Sequence, residues 1–325
     1  MKTIILNFFG RVKAKFKGYR SLPDRIKRSG RRLKEKTTGV LNYSDYKRPI
    51  FKLVYTLILL TLFIAVLTVL LPPLWLFVSS FKDAAELESV PYSFWPDSFD
   101  LKKLGEVWRM LDFGKYYSNT FIVAVGAVAS SVVFNGLLAY AFAVIKPKGW
   151  RFFYALVLAG YMIPAITSIV PLYKSIVDLG FINSFLPLWF VFGANAFYLI
   201  MFKSYFESLP KALFEAARID GASDAGIFFK IVLPLSKPVV GVVSIFTMTA
   251  AWSDFLLPYL ILMDDKMMTV MVKIYNIQAT MGTITGFGPD KLLMVLTISI
   301  LPQILLFIFF QRRITGSAAT AGLKD

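Results

Sequence analysis

Residues 215–238 read EAARIDGASDAGIFFKIVLPLSKP, a charged, helix-forming stretch between two long apolar segments. The residues predict two short helices broken at Gly221 and held at a membrane face. Ser208 and Pro210 stand where the first helix is expected to begin. A serine oxygen accepts hydrogen bonds from the free amides of a first turn, and proline fits that turn. Lys211 to Asp220 holds good helix formers, with Leu213, Phe214, Ala217 and Ile219 as apolar contacts. Gly221 is suited to the left-handed conformation that stops a helix. Ser223 and Asp224 cap a second helix carrying Ile227, Phe228, Ile231 and Val232. Pro234 and Pro238 close it and open the next span. Taken alone, Glu215 reads as a solvated helix charge paired with Arg218 or Lys211. A DNA-reading helix-turn-helix has the same outline, but the flanking apolar spans leave no room for a duplex. The Gly221–Gly226 spacing echoes a phosphate loop, yet Ile227 and Phe228 follow where Lys and Ser/Thr are required.

The stretch resembles the "EAA" loop of permease subunits of bacterial ATP-binding cassette (ABC) importers. The pattern is Glu215, Ala216, Ala217, then Gly221, then Ile231, Leu233 and Pro234. The Asp220-Gly221-Ala222 form and the second proline, Pro238, are similar to the carbohydrate-uptake branch. The resemblance implies a type I permease fold with six transmembrane helices. It also implies a cytoplasmic coupling helix that docks on an ATP-hydrolysing dimer. The implied coupling residues are Glu215, Ala216, Ala217, Arg218, Asp220, Gly221, Ala222, Phe228, Ile231, Leu233 and Pro234. ATP and Mg would lie on that partner, with no cofactor in this chain. A homologous second permease and an extracytoplasmic sugar-binding protein are the other implied partners.

Composition agrees with an all-α integral membrane protein. The 325 residues are 57% hydrophobic and 16% aromatic, with mean hydropathy +0.63, whereas soluble domains are nearer about 45–50% apolar. Cysteine and histidine are both absent, which removes disulfides, thiolates, the commonest metal ligand and the commonest general base. No phosphate loop is present, so the chain cannot itself hydrolyse ATP in the P-loop manner. The net charge of +16 is concentrated before residue 53. In a membrane protein such a surplus marks the cytoplasmic side and meets anionic lipid rather than nucleic acid.

Residues 1–50 form a separate basic extension. Ile4, Ile5, Phe8, Phe9, Val12 and Phe16 recur at helical spacing among Arg11, Lys13, Lys15 and Lys17. This predicts an amphipathic helix on the inner leaflet. Residues 51–325 make the transmembrane domain, with the coupling loop at 207–238. Its expected spans are about 53–78, 119–144, 152–173, 185–205, 239–262 and 292–310, each near the roughly 20 residues that cross a bilayer. Pro72 and Pro73 are expected to kink the first. The second is rich in small residues, among them Ala124, Gly126, Ala127 and Gly136, which let helices approach closely. The loop Ser80–Tyr117 carries more acid than base, which places it outside. Lys146, Lys148, Arg151, Arg312 and Arg313 place their segments, and both termini, in the cytoplasm of a multi-pass membrane protein, and the resemblance implies that the membrane is a bacterial plasma membrane.

Further segments carry the resemblance. MIPAITSIVPLY (162–173) and TAAWSDFLLPYLIL (249–262) are similar to carbohydrate-permease patterns, with Ser253 and Asp254 standing where Asn and a variable polar residue are common. The tail from Gln311 looks like that of the second permease in maltose-type importers. Candidate groups along the translocation path are Asn135, Asn195, Tyr198, Trp252, Ser253 and Asp254. Asp254 is the sharpest, because an acid within a span usually faces a cavity or a partner. An ion-coupled secondary transporter is the alternative. It predicts an inverted repeat, which is not visible. A membrane scaffold predicts no polar residues along the spans, which Asn135, Asn195 and Asp254 oppose.

Overall fold

The computed structural model describes residues 49–280 and 286–321, and every regular element among them is a helix. The amphipathic segment expected near the N-terminus and residues 281–285 of the Gly/Thr-rich part lie outside the described residues. The chain divides into two units, 1–73 and 74–325. Helix α1 runs Pro49–Ser79, and Pro72 and Pro73 lie inside it without ending it. Short helices α2 (Ala84–Leu87) and α3 (Lys102–Met110) follow. Helix α4 (Phe113–Ser130) continues through a π turn (Ser131–Asn135), α5 (Gly136–Tyr140) and a second π turn (Ala141–Ile145). This span therefore begins before the expected residue 119. It ends where Lys146 turns left-handed, φ 53°.

Three expected spans are broken rather than straight. In place of 152–173, α6 (Trp150–Tyr161) stops and a 3-10 turn (Ala165–Ser168) leads into α7 (Ile169–Asp178), with a bend of 96°. Pro164 lacks the amide that would continue the helix and pushes the residue before it toward extended backbone. In place of 185–205 come α8 (Leu186–Gly193) and α9 (Ala196–Glu207), bent by 47°. After the coupling stretch, α13 (Lys237–Ser253) stops at Asp254 and α14 (Leu256–Ile261) resumes. Pro258 accounts for this break: its ring would strike the carbonyl of Asp254, four residues earlier, in a continuous helix. Helix α15 (Val270–Ala279) and the long α16 (Pro289–Ala321) complete the chain. Three helices among the described residues are long and apolar enough to cross a membrane, and up to six spans result if three bent pairs each count as one: α6 with α7, α8 with α9, and residues 224–235 with α13, bent by 83°.

In residues 74–325 the expected close approach of small residues occurs between α4, α8 and α13. Ala124, Ala127 and Ala251 pack together there. A Cβ on Gly126 would overlap the indole of Trp189. Gly126→Ala should therefore lower stability by about 1–3 kcal/mol, the usual cost of overpacking. Thermal unfolding in detergent checks this, and an unchanged midpoint would mean that the ring can step aside.

The N-terminal end of α4 is tied by polar contacts. Asn119 donates to the carbonyls of Lys266 (2.8 Å) and Met268 (2.9 Å), and Thr120 accepts from the Val270 amide at 2.9 Å. Asp265 accepts from Tyr116 (2.7 Å), Lys115 (3.1 Å) and Lys273 (2.7 Å). Burial by itself would raise the Asp265 pKa. The bonds from Lys273, Tyr116 and Lys115 outweigh it and hold the carboxyl well below its ordinary range. A lowered pKa adds stability that is complete above the unfolded value of about 4 and is lost as pH falls below it. The Asp265 side chain is half exposed, so after solvent screening the contribution is on the order of 1 kcal/mol. Wild-type unfolding temperature should drop below about pH 4 more steeply than that of Asp265→Asn. Parallel curves would remove the cluster from the account.

Candidate functional site

The coupling stretch is two helices locked at a fixed angle. Ser208 closes α9 instead of opening the next helix, and Pro210 immediately precedes α10 (Lys211–Ile219). Gly221 is left-handed, φ 80°. The Ala222 amide donates to the Ala217 carbonyl at 2.9 Å and the Gly221 amide to that of Arg218 at 3.1 Å. That double closure is the Schellman motif, and it satisfies the helix's last carbonyls. Ser223 then accepts from the Gly226 amide and caps α11 (Asp224–Ile227). A π turn (Phe228–Val232) and α12 (Leu233–Leu235) carry the chain, through Ser236, to α13. Pro234 thus sits at the start of α12, and Pro238 at the start of α13.

One face of this device is built into the protein. Phe214, Ala217, Ile227, Phe228 and Val232 join a core with Tyr140, Phe202 and Phe206, against which Ile231 and Leu233 are half-buried. Phe228 enters over Gly136, where a Cβ would lie 3.2 Å from its ring. Arg218 pairs with Asp224 at 3.2 Å, and the Tyr140 hydroxyl donates to the same oxygen at 3.3 Å. This bridge spans the two short helices. It also answers the simple reading of Glu215, since Arg218 is engaged elsewhere. The other face of α10 carries exposed Glu215, Ala216 and Ile219, the last 86% exposed. Glu215 has no hydrogen bond or ion pair among the described residues. Asp220, Gly221 and Ala222 are also exposed.

The candidate path residues separate into two groups. Asn135 is 2% exposed. Its amide nitrogen donates to the carbonyls of Ser131 and Phe192, both at 2.9 Å, and its oxygen accepts from the Asn195 amide at 2.9 Å. Asn195 in turn accepts from the Tyr198 amide and caps α9. These three residues therefore meet at the α8–α9 break and satisfy its backbone. Trp252 is buried, its indole nitrogen donating to the Ser299 carbonyl at 3.3 Å. Ser253 is exposed, with its hydroxyl bonded back to Thr249, and Asp254 is partly exposed. The Asp254 carboxylate faces the amides of Leu257, Phe255 and Leu256 at the start of α14. Of the six, Ser253 is exposed, and Asn195 and Asp254 are partly exposed.

Sequence reasoning missed three rings beside that break. Phe255 stacks on Tyr259 (centroids 5.2 Å, planes 27° apart), and both meet Tyr275 of α15 at 4.9 and 5.1 Å. The four-residue spacing of Phe255 and Tyr259 was a readable signal; the approach of Tyr275 was not.

This architecture of broken apolar spans around a rigid helix pair is that of a membrane permease, and comparison with known proteins agrees. Residues 132–317, more than half of the chain, match the family described as "Binding-protein-dependent transport system inner membrane component". The chain belongs to this family. It is 32% identical over 253 residues to the diacetylchitobiose uptake system permease protein NgcG of Streptomyces coelicolor, covering 77% of this chain and 83% of that one. It is 32% identical to the arabinooligosaccharides transport system permease protein AraQ of Halalkalibacterium halodurans, covering 81% and 93%. Among solved structures, a chain of a bacterial ABC transporter that imports the acidic polysaccharide alginate superposes with TM-score 0.71 at 24% identity, covering 85% of this chain and 99% of that one. This last likeness concerns the fold.

Proposed function

We propose that this chain is one half of the translocation pathway of an ATP-driven importer for a sugar or oligosaccharide. A second, homologous permease supplies the other half, and an ATPase dimer docks on α10. The observation that carries the coupling reading is the two-sided character of α10. Phe214 and Ala217 anchor it in the core while Glu215, Ala216 and Ile219 face away from the chain. A helix so held transmits a push as a lever, because the Schellman closure and the Arg218–Asp224 bridge fix its angle to the next helix. ATP closure of the partner then biases the spans between inward-open and outward-open states. ATP and Mg bind on the partner, and an extracytoplasmic sugar-binding protein delivers the substrate at the opposite end. The substrate class is supported by the relatives named for diacetylchitobiose and arabinooligosaccharides. The basic residues Lys146, Lys148 and Arg151 lie toward the same end as α10, with Lys146, Arg151 and Lys203 all close to the Trp150 ring. The positive-inside rule makes that end, and both termini, cytoplasmic.

The test is to isolate the chain from native membranes in mild detergent and identify its companions by mass spectrometry. A second permease together with a phosphate-loop ATPase is the expected result. Recovery of the chain alone, with uptake that follows an ion gradient and ignores ATP, would replace this reading with a secondary transporter.

A further inference from the structure

Breaking a helix inside a membrane exposes backbone groups that lipid cannot satisfy. Irregular backbone at that depth is tolerated only against protein or a water-filled cavity. The break between α13 and α14 carries exposed Ser253 and partly exposed Asp254, and an intramembrane carboxylate has the same requirement. The face of the chain at this break therefore meets either another protein surface or a water-filled path. Phe255 lies in the break itself, and Tyr259 follows four residues later on the same side of α14. Tyr275 reaches them from α15 and completes a three-ring cluster. The two tyrosines are 41% and 44% exposed. Neither hydroxyl has a hydrogen-bond partner among the described residues. Stacked rings with free phenol hydroxyls, beside a partly exposed carboxylate, are the chemistry that receives a sugar: the apolar face of a pyranose lies on the ring, and its hydroxyls meet the polar rim.

We propose that Phe255, Tyr259 and Tyr275 form an aromatic platform on which a sugar ring of the transported oligosaccharide stacks as it approaches Asp254. This subunit would then touch the substrate itself rather than serve only as the wall opposite its partner. The proposal rests on the sugar-importer reading above. It adds that the rings, not the buried Asn135, Tyr198 and Trp252 or the partly exposed Asn195, make the contact.

The experiment uses the complete importer in proteoliposomes, with radiolabelled diacetylchitobiose, arabinotriose and raffinose as probes. Tyr259→Ala/Tyr275→Ala should reduce uptake of the transported probe by about tenfold and change the ratio in which the probes are accepted. The variant should still assemble and hydrolyse ATP. Tyr259→Phe/Tyr275→Phe, which keeps the rings, should restore most of the uptake. Wild-type uptake and selectivity in the alanine pair would overturn the proposal. So would equal losses in the alanine and phenylalanine pairs, which would assign the role to the hydroxyls. Failure of the alanine pair to hold the second permease would make the rings a subunit contact instead. If the wild-type importer takes up none of the three probes under ATP, the sugar reading falls and takes the platform with it. Normal wild-type uptake beside an unaffected alanine pair removes the platform alone.

Discussion

Glu215→Lys is expected to reduce ATP-driven uptake by about a hundredfold or more while leaving the chain folded. The Glu215 side chain is exposed and has no partner among the described residues of its own protein, so reversing its charge removes no internal contact. If its partner is a basic group of the ATPase, reversal places two like charges in a closing interface. Breaking such a desolvated pair typically costs about 2–5 kcal/mol. Three measurements separate the outcomes: unfolding temperature, recovery of the ATPase with the permease, and sugar-stimulated ATP hydrolysis. An unchanged unfolding temperature with lost recovery supports a docking role. Normal assembly together with normal stimulated hydrolysis would mean that Glu215 makes no such contact.

The second large effect is expected at Asn135. Asn135→Leu removes both hydrogen bonds that close the α8–α9 break, leaving the Phe192 carbonyl and the Asn195 amide without these partners in a part-buried site. Each orphaned group costs about 1–3 kcal/mol, so a loss of about 2–6 kcal/mol is expected. Asn195→Ala removes only the cap of α9 and should cost about 1 kcal/mol. Thermal unfolding in detergent ranks the two. If Asn135→Leu melts like the wild type yet transports poorly, Asn135 acts on the substrate path and the clamp is secondary. Two outcomes at one residue thus distinguish the expectation drawn from its chemistry from the role its contacts assign.

The coupling stretch was legible almost residue by residue. Gly221 stops a helix because a left-handed turn carries no penalty without a side chain, and Ser223 caps the next because its oxygen reaches an amide three residues on. Such signals act within one or two turns of backbone and do not depend on distant packing. The break at Asp254 was also readable in principle, because Pro258 disfavours a continuous helix there. The expectation of one span over 239–262 overlooked it. The break at Asn195 was not readable. It depends on Asn135, sixty residues earlier, supplying the acceptor for its amide. Ser208 was misplaced because a serine at a helix junction serves the end of one helix as readily as the start of the next.

The sequence by itself determined the class of molecule, its helical architecture, the uneven spread of charge along the chain and the position of the two short helices around Gly221. All four follow from composition, run length and local turn chemistry. Only the tertiary structure decided which polar residues close helix breaks and which face outward, and that Tyr275 joins Phe255 and Tyr259. The physical reason is the solvent. In water an apolar stripe points to the core, so periodicity reveals which face is buried. In lipid the surroundings are as apolar as the interior, and helix faces are sorted by shape and hydrogen bonding between segments far apart in the chain.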